Sequence, residues 1–208
     1  MPFYDLFFAF QGPPFEYPGC IYMPWGATRM FERGKTACDC VLLLGTRSDH
    51  RETFLRQFIE AAGEMTLPLR VIGPGWLAAR KKLNAPSWVV FESRWLAPDQ
   101  AANLLDGQVV LIPTSNRTNG VSPRVMDTMA TGACVVTEDV PALHRHFVAG
   151  RDLLAFRDAR DAARIVKELL ASPARISEIA RTGWNKVAAC DTLTHRARFI
   201  LEQAGLAS

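Results

Sequence analysis

The chain has 208 residues, of which 49% are hydrophobic and 22% charged, a balance that supports a full core and excludes wholesale disorder. The net charge of +3 is too small to argue for a nucleic-acid or membrane-surface partner. Five cysteines make no metal framework, since Cys38-x-Cys40 lacks the usual two-residue gap and has no second pair. Their odd number, the lack of any apolar run of about 18 residues and the absence of a basic leader point to a soluble cytoplasmic protein.

Residues 3 to 10, Phe-Tyr-Asp-Leu-Phe-Phe-Ala-Phe, read as a buried strand and are followed by a turn-rich linker with three prolines and two glycines. Ile21 to Trp25 reads as a second short strand and Gly26 to Phe31 as a turn. From Asp39 a regular rhythm begins. Cys40 to Gly45 is an apolar strand, Thr46 to His50 a polar loop with Asp49 as a candidate helix cap, and Phe54, Leu55, Phe58, Ile59 and Ala62 recur at helical spacing. Leu69 to Gly73 is the next strand, Trp76 to Leu83 a short helix, Ser87 to Phe91 a third strand, and Pro98 to Leu105 a helix capped near Ala97 to Asp99.

Val109 to Ile112 is an apolar β-branched run ending at Pro113, and Cys134 to Thr137 is another, so both are expected to be strands buried on both faces. Between them lies one short helix, with Ser122 as N-cap, Pro123 in its first turn and Gly132 closing it. Beyond Pro141 the pattern turns helical, with Ala142 to Phe147 short, Leu153 to Phe156 a last edge strand, and helices at Asp158 to Leu170, Pro173 to about Val187 and Thr192 to Gln203. Strands alternating with helices through short connections predict an α/β fold with a doubly wound parallel sheet and a C-terminal helical tail.

In such a sheet the loops after the strands meet at the carboxyl edge, where ligands bind. Gly45-Thr-Arg47-Ser-Asp-His-Arg51 is the first of these loops, and Arg47 and Arg51 could each place a guanidinium on a diphosphate opposite the Gly120 loop. The N–H groups of Gly120 to Arg124 lie at a helix start and suit an anion, and Asp127, one turn further in, could accept two hydroxyl protons. Asp127 as a solvated residue on the back of a core-facing helix is an equally open reading. There is no Gly-x-Gly-x-x-Gly and no Walker loop, which disfavours dehydrogenases and P-loop NTPases. His144 and His146 lack a third metal ligand, His50 and His195 stand alone, and Cys134 reads as an inert core thiol.

The run Gly120-Val-Ser-Pro-Arg124-Val-Met-Asp127-Thr-Met-Ala-Thr-Gly132-Ala-Cys-Val-Val-Thr resembles the donor-site segment of GT-B-fold glycosyltransferases. It is most similar to the spore maturation protein-like branch, with its pattern Gly-x-x-x-Arg-x-x-Glu-x-x-Ala-x-Gly-x-x-Val-Val-Thr. Gly150-Arg-Asp-Leu153 and Thr194-His195-Arg196 match the tail of that family. The resemblance implies the Rossmann-like donor-binding half of such an enzyme over residues 37 to 208, with residues 1 to 36 as an extension from the end of an acceptor domain. It implies a nucleotide-diphosphate sugar as donor, with neither a cofactor nor a metal, and an acceptor it does not identify. Gly45, Arg47, Arg51, Asn119, Gly120, Val121, Ser122 and Arg124 would hold the diphosphate, Asp127 the ribose, and Ser93 and Arg94 the base. Many retaining members carry two glutamates eight residues apart here. This chain has Asn119 and Asp127 at those positions, so the second charge is kept on a shorter arm and the first is lost. Three further expectations follow: that residues 1 to 20 associate with a second copy or a partner chain, that the isolated chain binds donor without turning it over, and, as the competing class, that the chain is a non-catalytic nucleotide-binding or protein-interaction module.

Overall fold

The structure, a computed structural model, describes residues 8 and 9, 21 to 35, 37 to 114 and 120 to 206. Asn119 and most of the expected strand at residues 3 to 10, with the association expected of residues 1 to 20, lie outside the described residues. Phe8–Ala9 (β1) pairs in parallel with Ile21–Tyr22 (β2) as a separate two-stranded ribbon. The strand expected to run to Trp25 therefore stops at Tyr22.

The main sheet holds six parallel strands: Val41–Leu44 (β3), Leu69–Ile72 (β4), Val89–Glu92 (β5), Val109–Ile112 (β6), Cys134–Glu138 (β7) and Leu154–Phe156 (β8). Their order is β5-β4-β3-β6-β7-β8. The chain first winds outward from β3 to β5, then returns to the other side of β3 and winds out to β8. The direction reverses between β3 and β6, which pair directly with Val41 opposite Val109. Loops leaving these two strands run to opposite sides, and the gap between them is the crevice where doubly wound sheets bind ligands. The interior strands are legible as apolar runs because both faces are covered: Val41 and Leu43 face one core cluster, with Phe54, Phe58, Trp76, Phe156 and Val166, while Leu42, Val110 and Ile112 face the other, with Met126 and Met129.

The described residues form seven helices: Asp49–Ala62 (α1), Trp76–Lys82 (α2), Pro98–Leu105 (α3), Pro123–Met129 (α4), Ala159–Leu170 (α5), Pro173–Cys190 (α6) and Leu193–Gln203 (α7). Helix α1 begins five residues before its first apolar position because Ser48, and not Asp49, is its cap, with the Ser48 hydroxyl accepting from the Arg51 N–H. Gly63, at φ 60°, closes it. Helix α3 is capped by Gln100, whose side chain accepts from the Ala97 N–H at 3.1 Å. The stretch 142 to 147 forms only a 3-10 turn, Leu143–Arg145. Helix α6 buries Ile176, Ile179, Ala180, Gly183 and Val187 along one face. Among the described residues no helix is long and apolar enough to cross a membrane.

Residues 24 to 35 are strapped across the domain. Ala27 donates to the Asp191 carbonyl at 2.7 Å and accepts from the Leu193 N–H at 3.0 Å. Phe31 donates to the Ala130 carbonyl at 3.0 Å, and its own carbonyl accepts from Trp184 Nε1 at 2.9 Å. The buried Asp106 carboxylate accepts from the N–H groups of Gly34 and Lys35, both at 2.8 Å. The strap passes over one side of the crevice between α3 and α4.

Candidate functional site

The crevice is a cleft of about 620 Å³, inside the usual range for small-molecule sites. Its floor is apolar, formed by Leu44, Ile72, Val110 and Ile112 from three neighbouring strands, β3, β4 and β6. Its walls carry the polar groups: Gly45 and Thr46 after β3, Arg94 and Trp95 after β5, Arg124 and Asp127 on α4, and Thr28 on the strap.

Gly45 lies at the centre. Its φ of 131° is a conformation that side-chain-bearing residues rarely adopt, and its carbonyl accepts from Trp76 Nε1 at 2.7 Å. A methyl group placed on Gly45 would sit 3.1 Å from Nη1 of Arg51 and 3.6 Å from Nη1 of Arg124, so two guanidinium groups converge on this one position. Arg51 is brought there by the first turn of α1 and donates to the Thr46 carbonyl at 2.5 Å. Arg124 comes from the first turn of α4 and donates to the Pro113 carbonyl at 3.2 Å. Among the described residues neither pairs with a carboxylate. Burial lowers the pKa of Arg51. That of Arg124 is pushed down to about 10, first by burial and then by Arg51, with Glu138 opposing. Two like charges sharing a half-buried position, with no carboxylate paired to either among the described residues, can take an anion.

Arg47 is placed differently. It pairs with Glu52, a nearly buried carboxylate that also takes Lys82 at 2.9 Å and Arg56 at 3.4 Å. The charge of Arg47 is thereby answered within the protein. Ser122 occupies the N-cap position of α4, but its side chain makes no cap bond, and at seven residues the helix has a small dipole. Val121 is buried in the core. Gly120 is half-buried beside it.

Asp127 faces the cleft, and its Oδ1 accepts two hydrogen bonds from Thr28, from the backbone N–H and from Oγ1, both at 2.9 Å. Thr28 carried no sequence signal, because the two residues are 99 positions apart. At the rim Arg94 pairs with Glu92 at 2.9 Å, Ser93 is exposed, and Trp95 is 81% exposed. Trp95 could have been marked in the sequence as a large aromatic placed directly after a strand at the ligand-binding edge. Beside Arg124, Glu138 at the end of β7 accepts from Thr114 Oγ1 at 2.6 Å and meets His50 Nε2 at 3.0 Å, so this histidine is not isolated. Among the described residues no cluster of three or more metal-ligating side chains occurs.

The model of a family described as glycosyl transferase-like matches residues 47–202. Comparison with the curated proteins gave no match. Among solved structures, sucrose-phosphate synthase from Thermosynechococcus elongatus superposes with a TM-score of 0.69 at 16% identity, over 91% of this chain and 53% of that one. HepE from Anabaena in complex with UDP and glucose gives 0.63 at 14% identity, over 81% and 48%. The C-terminal domain of a glycosyl transferase group 1 family protein, LpcC, from Francisella tularensis gives 0.58 at 15% identity, over 74% and 86%. The chain thus spans about half the length of the first two and most of the third. The six-stranded parallel sheet with its flanking helices matches GT-B Rossmann-like domains.

Proposed function

The chain belongs to the glycosyl transferase-like family, and we propose that it forms the donor-binding half of a glycosyltransferase that takes a nucleotide-diphosphate sugar. The observation that carries this reading is the convergence of Arg51 and Arg124 on Gly45 at the sheet's reversal point. A diphosphate supplies the counter-charge that neither guanidinium finds among the described residues, and each guanidinium can give it charge-assisted hydrogen bonds. The same groups would stabilise the diphosphate as it leaves the sugar, with charge fixed in place before the reaction begins. On this reading the leaving group is stabilised by side chains, and binding survives EDTA.

The rest of the cleft suits the rest of such a donor. Asp127 faces it with a carboxylate for the ribose hydroxyls, and the base lies over the apolar floor towards Arg94 and the exposed ring of Trp95, which can stack on it. HepE, one of the similar structures, is complexed with UDP-glucose, which supports a sugar nucleotide as ligand here. The run from Gly120 to Thr137 favours the spore maturation protein-like branch. Asn119 in place of a glutamate argues that transfer does not use two carboxylates eight residues apart. The acceptor would be held by a second half, as the resemblance to GT-B enzymes implies. The four described cysteines are free thiols, in keeping with the cytoplasmic location we propose.

Titration calorimetry with UDP, GDP, ADP and dTDP tests the reading. At least one is expected to bind at millimolar concentration or tighter, with and without EDTA, and more weakly to Arg51→Ala. Absence of binding to all four refutes the donor-site assignment.

A further inference from the structure

We propose that Thr28 is a positioning residue for nucleoside recognition: it occupies one oxygen of Asp127 and so leaves the other to the ribose hydroxyls. The inference rests on the donor-binding reading above. A carboxylate oxygen has two lone pairs, and Oδ1 of Asp127 spends both on Thr28, one on the N–H and one on Oγ1, each at 2.9 Å. Among the described residues nothing donates to Oδ2, and the side chain faces the cleft. Two bonds from one residue also fix the plane of the carboxylate, which a single bond would leave free to rotate.

Thr28 can do this because its own position is set from elsewhere. Arg196, on α7, donates to the carbonyls of Pro24 at 2.8 Å, Trp25 at 3.4 Å and Cys190 at 3.2 Å, and it pairs with the buried Asp191. Asp191 in turn offers its carbonyl to Ala27. Gly26 passes so close to Thr192 that a methyl group on it would lie 2.5 Å from the Thr192 carbonyl carbon. The strap is therefore clamped on both sides of Thr28, by the junction of α6 and α7 before it and by Ala130 and Trp184 at Phe31 after it. The C-terminal helices thereby hold a group that orients the ribose carboxylate, although they contribute no side chain to the cleft. An aspartate has a shorter reach than a glutamate and less freedom to adapt, so its orientation matters more.

The consequence is a selectivity. A fixed Oδ2 in one plane recognises the 2′ and 3′ hydroxyls of ribose together, and a sugar lacking the 2′ hydroxyl forfeits part of that recognition. Thr28 is exposed at the cleft, so Thr28→Val keeps the shape and the N–H, removes Oγ1 and places no new strain on the core. Calorimetry of the wild type, Thr28→Val, Thr28→Ser and Asp127→Asn is run with whichever of UDP, GDP and ADP binds and with its 2′-deoxy counterpart. Thr28→Val is expected to bind the ribonucleotide about five- to ten-fold more weakly, less than the loss of a direct bond to a charged group, because the bond removed acts on binding only through the orientation of Asp127. Its preference for ribo- over 2′-deoxynucleotide is expected to fall to that of Asp127→Asn. Thr28→Ser restores both, and the melting temperature is the same in Thr28→Val as in the wild type. Unchanged affinity and preference in Thr28→Val, in a protein that does discriminate, overturns the role of Thr28 and leaves the donor site standing. A wild type that binds both nucleotides equally removes the ribose role of Asp127, and the inference with it, while the diphosphate reading survives. A wild type that binds none of these, nor dTDP, refutes the donor site itself.

Discussion

Replacing Arg124 by methionine should weaken nucleotide binding and at the same time stabilise the empty protein. The guanidinium is driven down to about 10 by burial and by Arg51, so its charged form is disfavoured in the folded state. A fall of that size from the ordinary arginine range corresponds to about 3 kcal/mol at neutral pH. The sign follows from linkage. A base whose pKa is lower in the folded than in the unfolded state costs stability at every pH below both values, and the cost begins to fall only as pH rises above about 10, towards the ordinary arginine range. Methionine has a stem of comparable length and removes the charge, but it also gives up the bond to the Pro113 carbonyl, worth about 1 kcal/mol. The net gain is then about 1 to 2 kcal/mol, or about 2 to 8 °C in melting temperature for a domain of this size. Binding should move the other way. Charge-assisted bonds to a diphosphate contribute about 1.5 to 3 kcal/mol each, so losing one weakens binding by roughly ten- to a hundred-fold. Differential scanning fluorimetry with and without UDP, GDP, ADP and dTDP, followed by calorimetry, measures both effects on one sample. A variant that melts lower than the wild type and binds nucleotide as well would show that the paired arginines serve the fold and not a ligand.

Three further outcomes follow from other parts of the molecule. Glu52→Gln should destabilise the protein by about 2 kcal/mol, because it leaves Arg47, Arg56 and Lys82 around a nearly buried uncharged amide, a penalty moderated by the exposed ends of Lys82 and Arg56. Lys82 first, and Arg47 with it, hold the Glu52 carboxyl below the usual carboxylate range, so its contribution is complete above about pH 4.3 and is lost as pH falls further; urea melts from pH 7 to pH 3 should show the wild type and the variant converging. Gly183→Ala lies inside α6, where alanine is the better helix former by about 1 kcal/mol, yet the added methyl group would sit 2.4 Å from the Asp152 carbonyl oxygen; the melting temperature is expected to fall, and a rise would mean that α6 is free to shift. These 208 residues alone should bind a sugar nucleotide without turning it over, since Asp127, assigned to the ribose, is the one carboxylate lining the cleft among the described residues; sustained release of diphosphate that is lost in Asp127→Ala would contradict this.

Much of the sheet was legible because its strands are buried on both faces and so appear as uninterrupted apolar runs, as in Val109 to Ile112, all four of which are buried. The central loops were legible for the same reason, since a loop that follows an interior parallel strand must emerge at the carboxyl edge. What the chain does not display is the answering of its charges. Arg47 and Arg51 lie four residues apart in one loop-to-helix segment and look equivalent. Moving the cap of α1 to Ser48 places Arg47 before the helix and Arg51 in its first turn. Arg47 then meets Glu52, while Arg51 is carried over Gly45 towards Arg124, an arginine 73 positions away. Thr28 and Asp127 are likewise joined only by the tertiary fold. An arginine that finds its carboxylate within the chain contributes to the fold, and one held beside another arginine without a carboxylate needs an anion from outside. That difference is a property of the folded loop pair across the β3 and β6 reversal, and it marks Arg51 and Arg124, not Arg47, as the residues whose removal should separate binding from stability.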